Sequence, residues 1–88
     1  MCTYISVSAQ VAGSAKGPEG WFNVSHVSIG YDHPFHAPYG HALMLDVVNP
    51  DLGNGARVAP ELNVASGKAP LAQLRAAIDA AERSGVAE

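Results

Sequence analysis

The chain has 88 residues, of which 48% are hydrophobic and 15% charged, and its formal net charge is −3. A chain this short has too little interior for two cores, so we expect a single domain over residues 1–88. The five basic residues are scattered along the sequence, which argues against a phosphate-binding surface and therefore against nucleic acid as a partner.

Strict alternation of apolar and polar residues predicts the first strand, over residues 3–11. Ile5, Val7 and Ala9 fall on one face of it, as in a half-buried strand. The next stretch, GSAKGPEG at residues 13–20, is dense in glycine, proline and charge. It predicts a loop of about eight residues between strands.

A change of parity marks the second strand, which is expected over residues 21–31. Its apolar residues share one parity up to Val24 and the other from Val27 onward. A β-bulge near Ser25 and His26 would reconcile the two halves, because a bulge adds one residue to a strand.

The third and fourth strands differ in character. The third, over residues 41–49, is apolar on both parities apart from Asp46, which favours a central position or a subunit interface. The fourth, over residues 57–64, contains Pro60, which removes a backbone donor and therefore predicts an edge or a bulge.

One helix is expected over residues 68–84. Apolar residues between Leu71 and Ala81 recur at helical spacing and form one face. Pro70 suits a first turn and Gly85 a C-terminal stop.

This order of elements predicts an α+β fold, a four-stranded antiparallel β-meander with the C-terminal helix packed on one face. A domain of this size buries only about 60 to 65% of its unfolded surface. We therefore expect a homodimer, in which a second copy covers the other face of the sheet.

Three of the four histidines lie in the stretch YDHPFHAPYGH, at His33, His36 and His41. Two imidazoles that are separated by two residues can both reach one ion, at about 2.0 to 2.1 Å. Pro34 and Pro38 stiffen the loop, because each fixes its own φ and restricts the preceding residue.

The tetrapeptide APYG, residues 37–40, predicts a type I turn that would return His41 toward His33 and His36. Three imidazoles leave an open coordination position, so we predict a site for a divalent transition metal, zinc by preference. Its role, structural or catalytic, stays open. A catalytic ion would act as a Lewis acid in hydrolytic or lyase chemistry on a small molecule.

Four further residues are candidates for a fourth ligand or for orienting an imidazole. Asp32, Asp46 and Cys2 could fill either role. His26 is a weaker candidate, because a bulge-associated residue that hydrogen-bonds to the backbone is the better account of its position at the change of parity.

Two metal-free alternatives remain. One histidine with Asp32 or Asp46 could form an acid/base pair. The protein could instead be a small-ligand-binding or protein-interaction module that uses the sheet face and the region of Trp21 and Phe22.

The single cysteine, Cys2, has no second cysteine to pair with, so the fold does not depend on an oxidising compartment. The sequence also lacks the features of a signal peptide and any run of 18 apolar residues. We therefore expect a cytoplasmic protein with no membrane partner.

The chain begins MCTY, continues with GSAKG followed by GWF, and carries YDHPFHAP in its middle. In these motifs it resembles a small family of uncharacterised bacterial proteins, found mainly in actinobacteria. The resemblance implies a compact, soluble, independently encoded protein. It transfers no catalytic residue.

Overall fold

The computed structural model describes residues 5–85 and shows an antiparallel sheet followed by one helix. The strands are β1 (Ile5–Gly17), β2 (Gly20–Asp32), β3 (Ala42–Val48), β4 (Arg57–Val58) and β5 (Glu61–Leu62), and the helix α1 is Val64–Ser84. The sheet has the order β1-β2-β3-β4, and β5 also pairs with β3. The predicted α+β class and the antiparallel meander are thus confirmed.

The first hairpin is longer than the sequence predicts. β1 continues to Gly17, which pairs with Gly20, so the connection shrinks from residues 13–20 to Pro18 and Glu19. The prediction was wrong because a glycine-rich stretch still has backbone donors and acceptors that can pair. The reversal itself needs little more than Pro18, with its preset φ, and Gly20, whose φ is 108°.

The irregularity in this hairpin lies on β1 rather than on β2. Gln10 pairs with His26 and Gly13 pairs with Val24, so two residues of β1 oppose Ser25 alone. A bulge is therefore present at the predicted level of the hairpin but on the other strand. Parity within one strand does not reveal which of two paired strands carries the extra residue.

The predicted fourth strand is interrupted at Pro60. β4 pairs with the end of β3, through Val47 and Val58, and β5 pairs with its start, through Leu43 and Leu62. Between them the carbonyl of Pro60 accepts a hydrogen bond from the backbone of β3 at 3.0 Å. Proline thus contributes its acceptor although it has no N–H to donate.

The helix begins at Val64, four residues earlier than predicted. The side chain of Asn63 accepts a hydrogen bond from the Ser66 N–H at 2.8 Å, which is the N-cap interaction. Pro70 consequently lies inside the helix and not in its first turn, so that prediction was wrong. The stop at Gly85 is confirmed, since this residue is left-handed with φ 78°.

Few side chains are buried. In the described range the buried apolar side chains are Val24, Ala42 and Ala56, and no residue of α1 is buried. The helix lies against the sheet at Gly67, where a Cβ would overlap the side chain of Leu43. No helix of the described chain is both long and apolar enough to cross a membrane.

Candidate functional site

Two of the three predicted metal ligands come together where β2 and β3 meet. The ring centroids of His33 and His41 are 4.4 Å apart, with the planes tilted by 35°. Tyr31 stacks on His41 at 5.6 Å. The strand register explains this convergence: Asp32 pairs with Ala42 at the strand ends, so the next residue on each side must lie beside the other.

A backbone carbonyl orients the first of these rings. Nδ1 of His33 lies 2.9 Å from the carbonyl oxygen of Gly40. A carbonyl oxygen can only accept, so Nδ1 carries the proton and, in the neutral ring, Nε2 carries the lone pair. Metal-binding histidines commonly make this kind of hydrogen bond through their second nitrogen.

The third predicted ligand, His36, does not join this pair. Within residues 5–85 no group of three or more His, Cys, Asp or Glu side chains is arranged to hold a metal ion. His36 instead borders a depression that it shares with Met44. Side chains alternate along β3, so Met44 faces the side of the sheet opposite to Leu43 and Leu45.

A carboxylate that sequence reasoning missed determines the path of this loop. Glu61 accepts hydrogen bonds from three successive backbone N–H groups: Phe35 at 2.6 Å, His36 at 3.0 Å and Ala37 at 2.9 Å. The N–H groups of Ala37 and Phe35, and then that of His36, lower the pKa of Glu61. The sequence separation of 24 to 26 residues leaves no local motif that could reveal this contact.

The turn within the loop is tighter than predicted. The N–H of Tyr39 donates to the carbonyl of Ala37 at 2.9 Å, a three-residue turn centred on Pro38 in place of the expected four-residue turn. Proline suits the central position because its fixed φ matches that of an inverse γ-turn.

Asp46, a candidate fourth ligand, lies on the same side as His36. Its carboxylate accepts a hydrogen bond from Nε of Arg57 at 2.6 Å, and this bond raises the pKa of Arg57. Both residues border the depression next to His36, which has a volume of about 330 Å³. The depression is lined by Phe35, His36, Met44, Leu45, Asp46, Arg57, Ala59, Pro60 and Glu61.

The remaining candidates are distributed as follows. Asp32 immediately precedes His33, and its Oδ1 accepts the backbone N–H of His33 at 2.7 Å. His26 lies within β2, with Nδ1 2.8 Å from the hydroxyl of Ser25. Cys2 falls outside the described residues.

The molecule is thus a small α+β protein with two neighbouring histidine rings at the end of a strand pair. Residues 1–87 match a family described as a family of unknown function (DUF6295), and the chain belongs to this family. Neither the curated proteins nor the solved structures include a match. Membership confirms the resemblance to an uncharacterised family, whereas its actinobacterial range stays a prediction.

Proposed function

We propose that the protein binds a divalent transition-metal ion, zinc by preference, through His33 and His41. The observation that supports this proposal is the distance of 4.4 Å between the two ring centroids. Zinc binds histidine nitrogen at about 2.0 to 2.1 Å, so modest side-chain rotations suffice to direct one nitrogen of each ring at a shared ion. The carbonyl of Gly40 supports the required tautomer of His33.

Two imidazoles supply two of the four ligands that zinc takes. Asp32 adjoins His33 in the chain, with its Oδ1 on the His33 N–H, and would have to rotate toward the pair to supply a third ligand. Water or a small molecule would occupy what remains. In such an open site an ion can polarise an oxygen atom or activate water.

The predicted role of His36 requires a larger change. Glu61 holds the backbone of this residue and of its two neighbours, so His36 would have to turn toward the pair from the other side of the sheet. We therefore place His33 and His41 in the site and treat His36 as the residue whose participation must be tested.

Metal binding is tested with untagged protein, by measuring bound zinc and the zinc-dependent melting temperature of four variants. We expect a stoichiometric ion in the wild type, and its loss in His33→Ala and His41→Ala. His26→Ala is the matched control, because it removes an imidazole from the middle of β2. His36→Ala keeps its zinc if the pair suffices and loses it if three histidines bind.

The melting temperature reports binding because an ion that binds only the folded state stabilises that state. At a free ion concentration of 100 times the Kd, the free energy of unfolding rises by about 2.7 kcal/mol. The proposal would be contradicted if the wild type held less than about a tenth of an equivalent of zinc and its melting temperature did not change when a chelator was added.

The second candidate function, a metal-free interaction module, has separate support. Such a module was expected to use the sheet face and the region of Trp21 and Phe22, and Trp21 is 72% exposed. Surfaces of this kind mark sites of association.

A further inference from the structure

Apolar side chains lie uncovered on one face of the sheet. Ile5 pairs with Tyr31 and Val7 pairs with Ile29 across β1 and β2, and Tyr31 pairs with Leu43 across β3. Directly opposed residues project to the same side of a sheet, so these side chains form one continuous surface. Ile5 and Val7 are 57% and 56% exposed.

The helix extends this surface rather than covering it. Leu71, Leu74 and Ile78 lie on one helical face and are each at least 50% exposed. Two of them, Leu71 and Leu74, line an apolar depression together with Ile29 and Leu43 of the sheet. We call the combined surface the open face; it consists of Ile5, Val7, Ile29, Tyr31, Leu43, Leu71, Leu74 and Ile78.

The chain exposes far more area than a compact protein of its mass. Its accessible surface is 6663 Å², against about 4,900 Å² expected for a folded monomer of 9.1 kDa. Its radius of gyration is 14.7 Å, against about 12 Å for a compact domain of this length. The excess of roughly 1,800 Å² belongs to the whole chain, and it lies in the range that obligate homodimers bury, about 1,000 to 2,500 Å² per partner.

We infer that the open face is the interface of a homodimer, in which a second copy of this chain covers it. The excess area is much larger than a small ligand would bury and fits an equal surface on a partner. Charges at its border do not oppose self-association: Arg75 and Asp79 lie beside Leu74 and Ile78, and their opposite signs offset each other. In a two-fold interface the same patch must complement itself.

This surface is not where the sequence placed the partner. The order of the elements and the small size of the chain predicted that the helix covers one face and the second copy the other. The exposed apolar residues lie on the face that the helix approaches, because α1 touches the sheet near Gly67 and leaves the rest of that face uncovered.

The test is the sedimentation equilibrium mass across a wide range of protein concentrations. We expect twice the chain mass of 9.1 kDa for the wild type. Leu74→Glu should raise the dimer dissociation constant at least about 100-fold, because it introduces an unpaired charge into the interface. Gln73→Glu adds the same charge at an exposed position on the far side of the helix and should change the constant less than about threefold.

A second pair of variants covers the case in which Leu74→Glu does not fold. Val7→Lys places a charge on the open face through β1, whereas Ser6→Lys places it on the opposite face one residue away. The melting temperature of the wild type should also rise with protein concentration.

A wild-type protein that stays monomeric overturns the inference, including a monomer that binds an apolar small molecule. An assembly that survives both Leu74→Glu and Val7→Lys also overturns it. The metal proposal is tested separately: Leu74→Glu leaves both histidines and the Tyr31 ring that stacks on His41 in place, so it should dissociate the dimer without removing the zinc.

Discussion

The loop between β2 and β3 differs from the open face in how far its polar and apolar groups are satisfied within the chain. The loop has almost no regular structure, yet Glu61 pairs three of its N–H groups and Gly40 pairs His33. The open face is built from regular strands and a helix of 21 residues, yet its apolar side chains stay exposed. In this chain, therefore, the presence of regular secondary structure does not mean that the apolar side chains are buried.

The difference has a physical origin. A backbone N–H needs one well-placed acceptor, and a single carboxylate on a neighbouring strand can supply several. Apolar surface needs area, and stabilisation grows by roughly 25 cal/mol for each Å² removed from water. A chain of 88 residues can satisfy the first need internally, and the homodimer that we infer would meet the second through a partner.

The largest loss of stability is expected for a substitution where the helix meets the sheet. Gly67→Val places a branched side chain against Leu43, and overpacking of this kind costs about 1 to 3 kcal/mol. Chemical denaturation at fixed protein concentration measures the loss. Gly67→Ala is the control, because its smaller overlap is offset by a gain in helix propensity of about 1 kcal/mol. Equal stability of the two variants would show that the helix does not depend on this approach.

A smaller effect is expected at the start of the helix. Asn63→Ala removes the acceptor of the Ser66 N–H, and the loss of such a cap costs about 1 kcal/mol. Thermal unfolding monitored by circular dichroism should show the change. Ser66→Ala keeps the backbone N–H and should leave the cap intact, so a larger loss in that variant would contradict the assignment.

The smallest change in the free energy of unfolding at neutral pH is expected for Glu61→Gln, because glutamine retains one oxygen that can accept hydrogen bonds from the loop between β2 and β3. The folded-state pKa of Glu61 is lowered by the loop N–H groups, so its contribution to stability is present above its ordinary pKa of about 4.3. This contribution is lost as the pH falls through the folded-state pKa. The free energy of unfolding of the wild type should therefore fall more steeply with acid than that of Glu61→Gln.

This acid-dependent difference between wild type and Glu61→Gln should be the same at every protein concentration, because Glu61 lies away from the open face. A difference that disappears on dilution would show instead that the loop contributes to the dimer.

Prediction from the sequence succeeded where side-chain periodicity carries the information. The alternation around Ile5 and Val7 identified β1. The register of β2 with β3 brings His33 next to His41, and a turn at residues 37–40 had been predicted to return the chain in this way. It failed where glycine and proline were interpreted by composition alone, at residues 13–20 and at Pro70. Only the backbone hydrogen bonds of the folded chain, between strands at residues 13–20 and within the helix around Pro70, show whether such residues form a loop or continue an element.

The sequence by itself determined the order of the elements, the α+β class and the position of the histidine-rich loop between two strands, because these follow from local periodicity and turn chemistry. The tertiary structure alone decided that Glu61 draws His36 away from His33 and His41, and that the helix leaves the open face exposed. Both outcomes depend on contacts between residues far apart in the chain, which local patterns do not encode.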